Sequence, residues 1–255
     1  HISKILYIMT SVVSSSNLSN NLKRLLRDVR KIIKNPLTNH GIYYVHDTNN
    51  CRKGYAMIIG PNDTLYRHGF YFFEFKFPNE YPYVPPVVTY LTNGENIRFN
   101  PNLYRNGKVC LSIINTWKGE GWTSCQNISS VLLTIVAHVF NNEPILNEPG
   151  VSKRHPSFKA YHQILRWGNY KVAFHDVIKN GVLPSADYNK FFYKYIDEYV
   201  KENNKLILSD LEQLVKDNPE KQWIKCSIYN MKSLVDYGEI EKNIKVLIND
   251  KLNLN

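Results

Sequence analysis

The stretch Phe99-Asn100-Pro101-Asn102-Leu103-Tyr104-Arg105-Asn106-Gly107-Lys108-Val109-Cys110-Leu111-Ser112 holds the residues best suited to chemistry. It offers a cysteine, an amide side chain at Asn102 eight positions earlier, and Gly107 to let the chain turn back between them. A thiolate is a nucleophile, and an amide N–H held beside it can stabilise the oxyanion of acyl transfer, where one such donor contributes about 3 kcal/mol. The same cysteine could serve a Cys-His hydrolase with His138, His155, His162 or His175 as base, although none of these lies in a local signature that favours it. Cys51, Cys125 and Cys226 lie far apart, with no Cys-x-x-Cys pair and no histidine at zinc-ligand spacing. They read as small buried hydrophobes, and neither a disulfide framework nor a metal site is expected.

Periodicity predicts the elements that must position this stretch. Leu18, Leu22, Leu25, Leu26, Val29, Ile32 and Ile33 recur at helical spacing, with Ser16 or Asn17 as cap and Pro36 as stop. Four short β-branched and aromatic runs follow, Ile42 to His46, Tyr55 to Ile59, Phe70 to Phe77 and Val87 to Leu91. Asn-Asn, Gly-Pro-Asn-Asp and Pro-rich breaks separate them, which predicts a four-stranded antiparallel meander. Pro78, Pro82, Pro85 and Pro86 make the loop before the last strand rigid, and residues 93 to 112 have no sustained period. A strongly apolar helix begins at Ile128 and ends by Pro144, and another spans Pro156 to Val177. From Leu183 the pattern reads as helical throughout, in segments Phe191 to Tyr199, Leu206 to Val215, Ile224 to Val235 and Ile240 to Leu252. The expected fold is α+β, with a lead over 1–17, a core over 18–180 and a helical extension over 181–255 packed on that core.

Composition narrows the function classes. With 43% hydrophobic and 21% charged residues in 255, the chain is globular rather than fibrous or low-complexity. Its most apolar run, Val131 to Phe140, carries His138 and is far shorter than the roughly 20 residues needed to cross a bilayer. No secretory signal pattern is read at the start, so an intracellular protein is expected, cytoplasmic or also nuclear, with no membrane partner. The net charge of +10 is concentrated in the first two thirds, and Leu18 to Asn35 holds Lys23, Arg24, Arg27, Arg30, Lys31 and Lys34 against Asp28 alone. That is a local docking surface rather than a polybasic tail, and no nucleic acid is expected.

From Leu18 to His155 these features, in order, resemble the ubiquitin-conjugating enzymes. The basic first helix with Leu22-Lys23-Arg24 and Asn35-Pro36 is similar to the family's amino-terminal helix. Phe77-Pro78-x-x-Tyr81-Pro82 with Pro85-Pro86 matches its proline signature. Asn102 falls on the asparagine of the family's His-Pro-Asn motif and Cys110 on its active cysteine. Trp122 and the helix from Ile128 match the tryptophan and helix that follow, and Asn147-Glu148-Pro149 falls where the family has an acidic gate. Asn100 replaces the motif histidine, which in the family mainly braces the loop, and Ser112 stands where many members have an aspartate. Asn-Pro-Asn, Thr-Trp-x-Gly, Asn-Glu-Pro-Gly and a long carboxy-terminal extension are together similar to the large subclass that includes enzymes able to carry more than one ubiquitin-like protein.

The resemblance implies that Cys110 takes ubiquitin or a ubiquitin-like protein from an activating enzyme as a thioester and yields it to a lysine amine, usually with a ligase. Asn102 would hold the loop and donate to the oxyanion, and Glu148 would lower the pKa of the incoming lysine. Lys23, Arg24 and Arg27 would meet the activating enzyme, and Tyr83 with Thr123 a ligase. No metal or bound cofactor is implied, since ATP is consumed by the activating enzyme. The alternative is a non-catalytic scaffold of the same fold that binds ubiquitin or a ligase, motivated by Asn100 and Ser112.

Overall fold

The structure, a computed structural model, describes residues 19–253; the lead over 1–17, with Ser16 and Asn17, lies outside them. Ser19 caps the first helix instead, its hydroxyl accepting from Leu22 N at 3.3 Å. Helix α1 (Asn20–Lys34) buries Leu25, Leu26, Asp28, Val29 and Ile32 and ends before Pro36. Strands β1 (Ile42–His46), β2 (Lys53–Ile59), β3 (Phe70–Lys76) and β4 (Val87–Tyr90) follow, hydrogen-bonded in sequence order. β1 pairs antiparallel with β2 in the register Ile42↔Ile58 to His46↔Gly54, and β3 with β4 from Phe73↔Tyr90 to Lys76↔Val87. This is the expected meander. β3 is buried on both faces from Phe70 to Phe73 and alternates only at its end, where Lys76 is exposed.

The chain divides into two compact units. The first comprises residues up to Ile58, Phe72–Leu91 and Asn102–Val139. It includes α2 (Ile128–Thr134), which continues into a π-helical turn, Ile135–Val139. Asn127 and Ser130 form a capping box at its start, the Asn127 side chain accepting from Ser130 N and the Ser130 hydroxyl from Asn127 N.

The second unit comprises Ile59–Tyr71, Thr92–Pro101 and Phe140 onward. Its helices are α3 (Ser157–Gly168), π-helical turns over Asn169–Asp176, α4 (Val177–Asn180), α5 (Ala186–Asp217) and α6 (Tyr237–Asn253). The segments expected as two helices, Phe191 to Tyr199 and Leu206 to Val215, are one helix, because no Gly or Pro interrupts it and Asn203 donates back to the Tyr199 carbonyl at 2.9 Å.

One expected helix is a hairpin. Residues 224–235 lie in β5 (Gln222–Cys226) and β6 (Met231–Val235), paired antiparallel from Gln222↔Val235 to Cys226↔Met231. Ile224, Ile228, Met231 and Val235 keep helical spacing, but Tyr229 (φ 62°) and Asn230 (φ 47°) turn the chain through the left-handed region. Ile224 and Cys226 then face inward with Met231, Ser233 and Val235, so the extension is not purely helical.

Candidate active site

In the first unit the Cys110 loop doubles back on itself. Leu103 bridges Val109, and Tyr104 N donates to the Lys108 carbonyl at 2.9 Å. Gly107 sits at φ +88° between them, where a Cβ would lie 2.8 Å from Thr89 Cγ2 and 3.0 Å from the Tyr90 carbonyl, so the turn-back assigned to it requires glycine. Its carbonyl accepts from Tyr90 N at 2.8 Å, fastening the loop to β4.

Cys110 and Asn102 are held together by two hydrogen bonds. Cys110 N donates to the Asn102 carbonyl at 2.8 Å, and Asn102 Nδ2 donates to the Cys110 carbonyl at 2.7 Å. Thr116, which the sequence did not single out, closes the other side. Its hydroxyl accepts from Leu111 N at 2.9 Å and donates to the Val109 carbonyl at 2.8 Å. A threonine four residues past a 3₁₀ turn's start carries no motif signal; only the fold of the loop makes it a clasp.

Cys110 is 3% exposed, so an acyl donor must reach into the loop. Cys226 is buried as expected, but Cys51 and Cys125 are exposed, since each lies in a turn rather than on an apolar face. Of the candidate bases, His155 Nδ1 accepts from Ser157 N at 3.1 Å, His162 Nδ1 meets the Phe158 carbonyl at 2.7 Å and His175 Nδ1 meets Asp176 at 2.8 Å. Each is engaged by its own local backbone or neighbour.

The basic helix shares a network with the loop after Trp122. Arg24 Nε donates to Asp28 at 2.9 Å, and its two terminal nitrogens donate to the carbonyls of Ser124 (2.8 Å) and Gln126 (3.1 Å). Asp28 also accepts from the Tyr81 hydroxyl at 2.8 Å. Arg24 is thereby committed to holding the Thr123–Cys125 loop, whereas Arg27 is exposed on α1 and Lys23 partly so. Trp122 Nε1 donates to the Pro82 carbonyl at 2.6 Å and its ring lies 5.9 Å from Tyr81, which fixes the proline loop. Tyr83 stands out from that loop at 74% exposure, and Thr123 is exposed as well.

Asn100 and Glu148 belong to the second unit. Asn100 is fully buried; its amide donates to the Tyr66 hydroxyl at 3.2 Å, and that hydroxyl donates to the Phe99 carbonyl at 2.7 Å. Burial pushes the Tyr66 phenol far up, which keeps it protonated for that bond. Asn147 Nδ2 donates to Asn100 Oδ1 at 3.4 Å, and Asn147 Oδ1 accepts from Asn141 Nδ2 at 3.0 Å. The buried Asn100 side chain thus links Tyr66 to Asn147, the residue before Glu148, within the second unit. Glu148 follows the 3₁₀ turn Pro144–Asn147, is half-buried, and accepts from the Tyr229 hydroxyl. Tyr229 escaped notice because its segment reads as a helix. Among the described residues no three His, Cys, Asp or Glu are placed to hold a metal, and no helix is long and apolar enough to cross a membrane.

A basic first helix, a four-stranded antiparallel meander, an ordered loop holding Cys110 and the helices that follow define an α+β protein. The family model described as ubiquitin-conjugating enzyme matches residues 24–163, more than half of the sequence, and the chain belongs to this family. It is 43% identical over 186 residues to ubiquitin-conjugating enzyme E2 Z of Homo sapiens, covering 70% of this chain and 51% of that protein. The Danio rerio E2 Z is 43% identical over 183 residues, covering 69% and 55%. The human dual E2 ubiquitin-conjugating enzyme/E3 ubiquitin-protein ligase BIRC6 is 31% identical over 230 residues, 84% of this chain and 5% of that protein. The chain spans about half the length of the E2 Z relatives.

Proposed function

We propose that the chain carries ubiquitin or a ubiquitin-like protein as a Cys110 thioester and transfers it to a lysine amine. The paired hydrogen bonds between Asn102 and Cys110, in a chain of this family, support this reading most directly. The Cys110 thiolate attacks the activating enzyme's thioester carbonyl; a new C–S bond forms, the old one breaks, and the departing cysteine leaves as thiolate. A free cysteine titrates near about 8.5, so exchange between two such thiols needs no strong base. The lysine must lose its proton, held to about pH 10.4 in water, before its nitrogen attacks and expels Cys110 as thiolate. Asn102 holds the loop and donates to the oxyanion formed in that attack, and Glu148 places the amine and draws its proton.

Lys23 and Arg27 offer charge to an acidic groove on the activating enzyme, where complementarity chiefly raises the encounter rate. Arg24 serves that surface by holding the adjoining loop rather than as a projecting cation. Tyr83 and Thr123 form the ligase face, an exposed aromatic beside rigid prolines being a suitable anchor. The chain needs no cofactor of its own, and it works in the cytoplasm or nucleus beside its activating enzyme. Membership of a family whose named relatives are conjugating enzymes favours catalysis over the scaffold alternative.

Incubation with ubiquitin, ATP and a panel of activating enzymes tests the reading. A reductant-sensitive adduct that disappears when lysine is added supports it. Ubiquitin binding with no adduct from any activating enzyme or modifier would favour the scaffold.

A further inference from the structure

Beyond the core, the hairpin turn reaches the carboxylate assigned to the lysine. The Tyr229 hydroxyl donates to Glu148 Oε2, and both residues belong to the second unit. The tyrosine is itself fixed on several sides. The Arg98 guanidinium lies 4.1 Å from its ring centroid, the Tyr161 ring packs against it edge-on at 6.2 Å, and the Tyr161 hydroxyl donates to the Arg98 carbonyl at 2.9 Å. Arg98 N in turn donates to the sulfur of Met231, the first residue of β6. Tyr229 adopts φ 62°, a conformation a bulky side chain avoids unless its surroundings determine it.

We propose that Tyr229 is a positioning residue that aims the Glu148 carboxylate for lysine transfer, giving the β5–β6 hairpin a role in the reaction. The proposal rests on the reading of Glu148 given above. A half-buried glutamate on a loop has several rotamers, and only some can receive an ammonium. A phenol donating to one carboxylate oxygen selects among them and presents the other oxygen in a fixed direction. Asn147, anchored through Asn100 and Asn141, fixes the backbone of the same loop, so backbone and side chain are set by separate contacts.

The test separates charging from discharge. Wild type, Tyr229→Phe, Glu148→Ala and the double variant are charged with ubiquitin by an activating enzyme, and single-turnover discharge onto free lysine is followed across lysine concentrations. Tyr229→Phe keeps the ring and its Arg98 contact, so normal charging shows that the fold is intact. The expected result is discharge slowed about tenfold in the maximal rate, the size of one hydrogen bond to a charged group. The slowing must vanish in the Glu148→Ala background, because a residue acting through Glu148 has nothing to position there. Slow Glu148→Ala with normal Tyr229→Phe, or slowing that persists undiminished in the double variant, overturns the proposal alone. Wild-type discharge by Glu148→Ala, or no thioester in any variant, overturns the underlying reading and the proposal with it.

Discussion

Asn102 and Cys110 grip one another from both ends of an eight-residue excursion, with the Asn102 side-chain amide on the Cys110 carbonyl at 2.7 Å and Cys110 N on the Asn102 carbonyl at 2.8 Å. The amide assigned to the oxyanion is thus also the one that shapes the loop. Asn102→Ala removes one bond to a buried backbone carbonyl and is expected to cost about 1 to 2 kcal/mol of stability, read as a lower urea midpoint, together with slower lysine discharge. An Asn102→Ala protein with unchanged midpoint and unchanged discharge would show that the side chain does neither job.

Thr116 clasps the loop from the other side, and it does so with its hydroxyl alone. Thr116→Val keeps shape and volume while leaving Leu111 N and the Val109 carbonyl without that partner. A loss of about 1 to 3 kcal/mol follows from two deprived backbone groups, while Thr116→Ser, which keeps the hydroxyl, should recover most of it. Equal stability of the valine and serine variants would contradict the clasp.

Gly107→Ala meets two obstacles at once, a positive φ and a Cβ 2.8 Å from Thr89 Cγ2. Destabilisation of about 2 kcal/mol is expected from the backbone conformation alone, with any relief of the contact loosening the fastening to β4. Thermal unfolding checks this; an unshifted melting temperature would mean the turn is not held as described.

Acid should weaken the first unit through His46. Its Nε2–H donates to the Cys51 carbonyl at 2.9 Å, and its Nδ1 meets the Tyr44 hydroxyl at 2.8 Å. Burial pushes its pKa down from 6.5 to about 4. Between those values the unfolded chain binds a proton that the folded chain refuses, so stability is full above pH 6.5 and falls as pH drops toward 4, by about 3 kcal/mol in all. Burial lowers His68 and His162 too, so the comparison must be with His46→Gln, whose stability should decline less steeply over the same window. Parallel curves would remove His46 from the acid response.

The meander, the basic helix and the Asn102–Cys110 pairing were legible because aromatic alternation, a one-sided apolar stripe and a short motif are local signals. Residues 222–235 were not, because Ile224, Ile228, Met231 and Val235 satisfy a helical stripe and the buried polar Ser233 masks the alternation of β6. With the hairpin went Tyr229 and its hold on Glu148. Thr116 and the inward commitment of Arg24 were hidden for other reasons: Thr116 depends on a carbonyl that only the irregular fold of its own loop brings within reach, and Arg24 on carbonyls about a hundred residues away. Cys51 and Cys125 read as buried by composition, yet lie exposed in turns.

The thiol that carries the modifier is the central claim, and gels with and without reductant decide it most directly. Wild type, Cys110→Ser, Cys110→Ala and a Cys51→Ser/Cys125→Ser variant are charged side by side with ubiquitin, ATP and the activating enzyme. The expected pattern is a reductant-sensitive adduct in wild type and in the double variant, a reductant-resistant ester in Cys110→Ser, and none in Cys110→Ala. A reductant-sensitive adduct that survives in Cys110→Ala, or that is lost when the exposed Cys51 and Cys125 are replaced, would place the thioester elsewhere and contradict the claim.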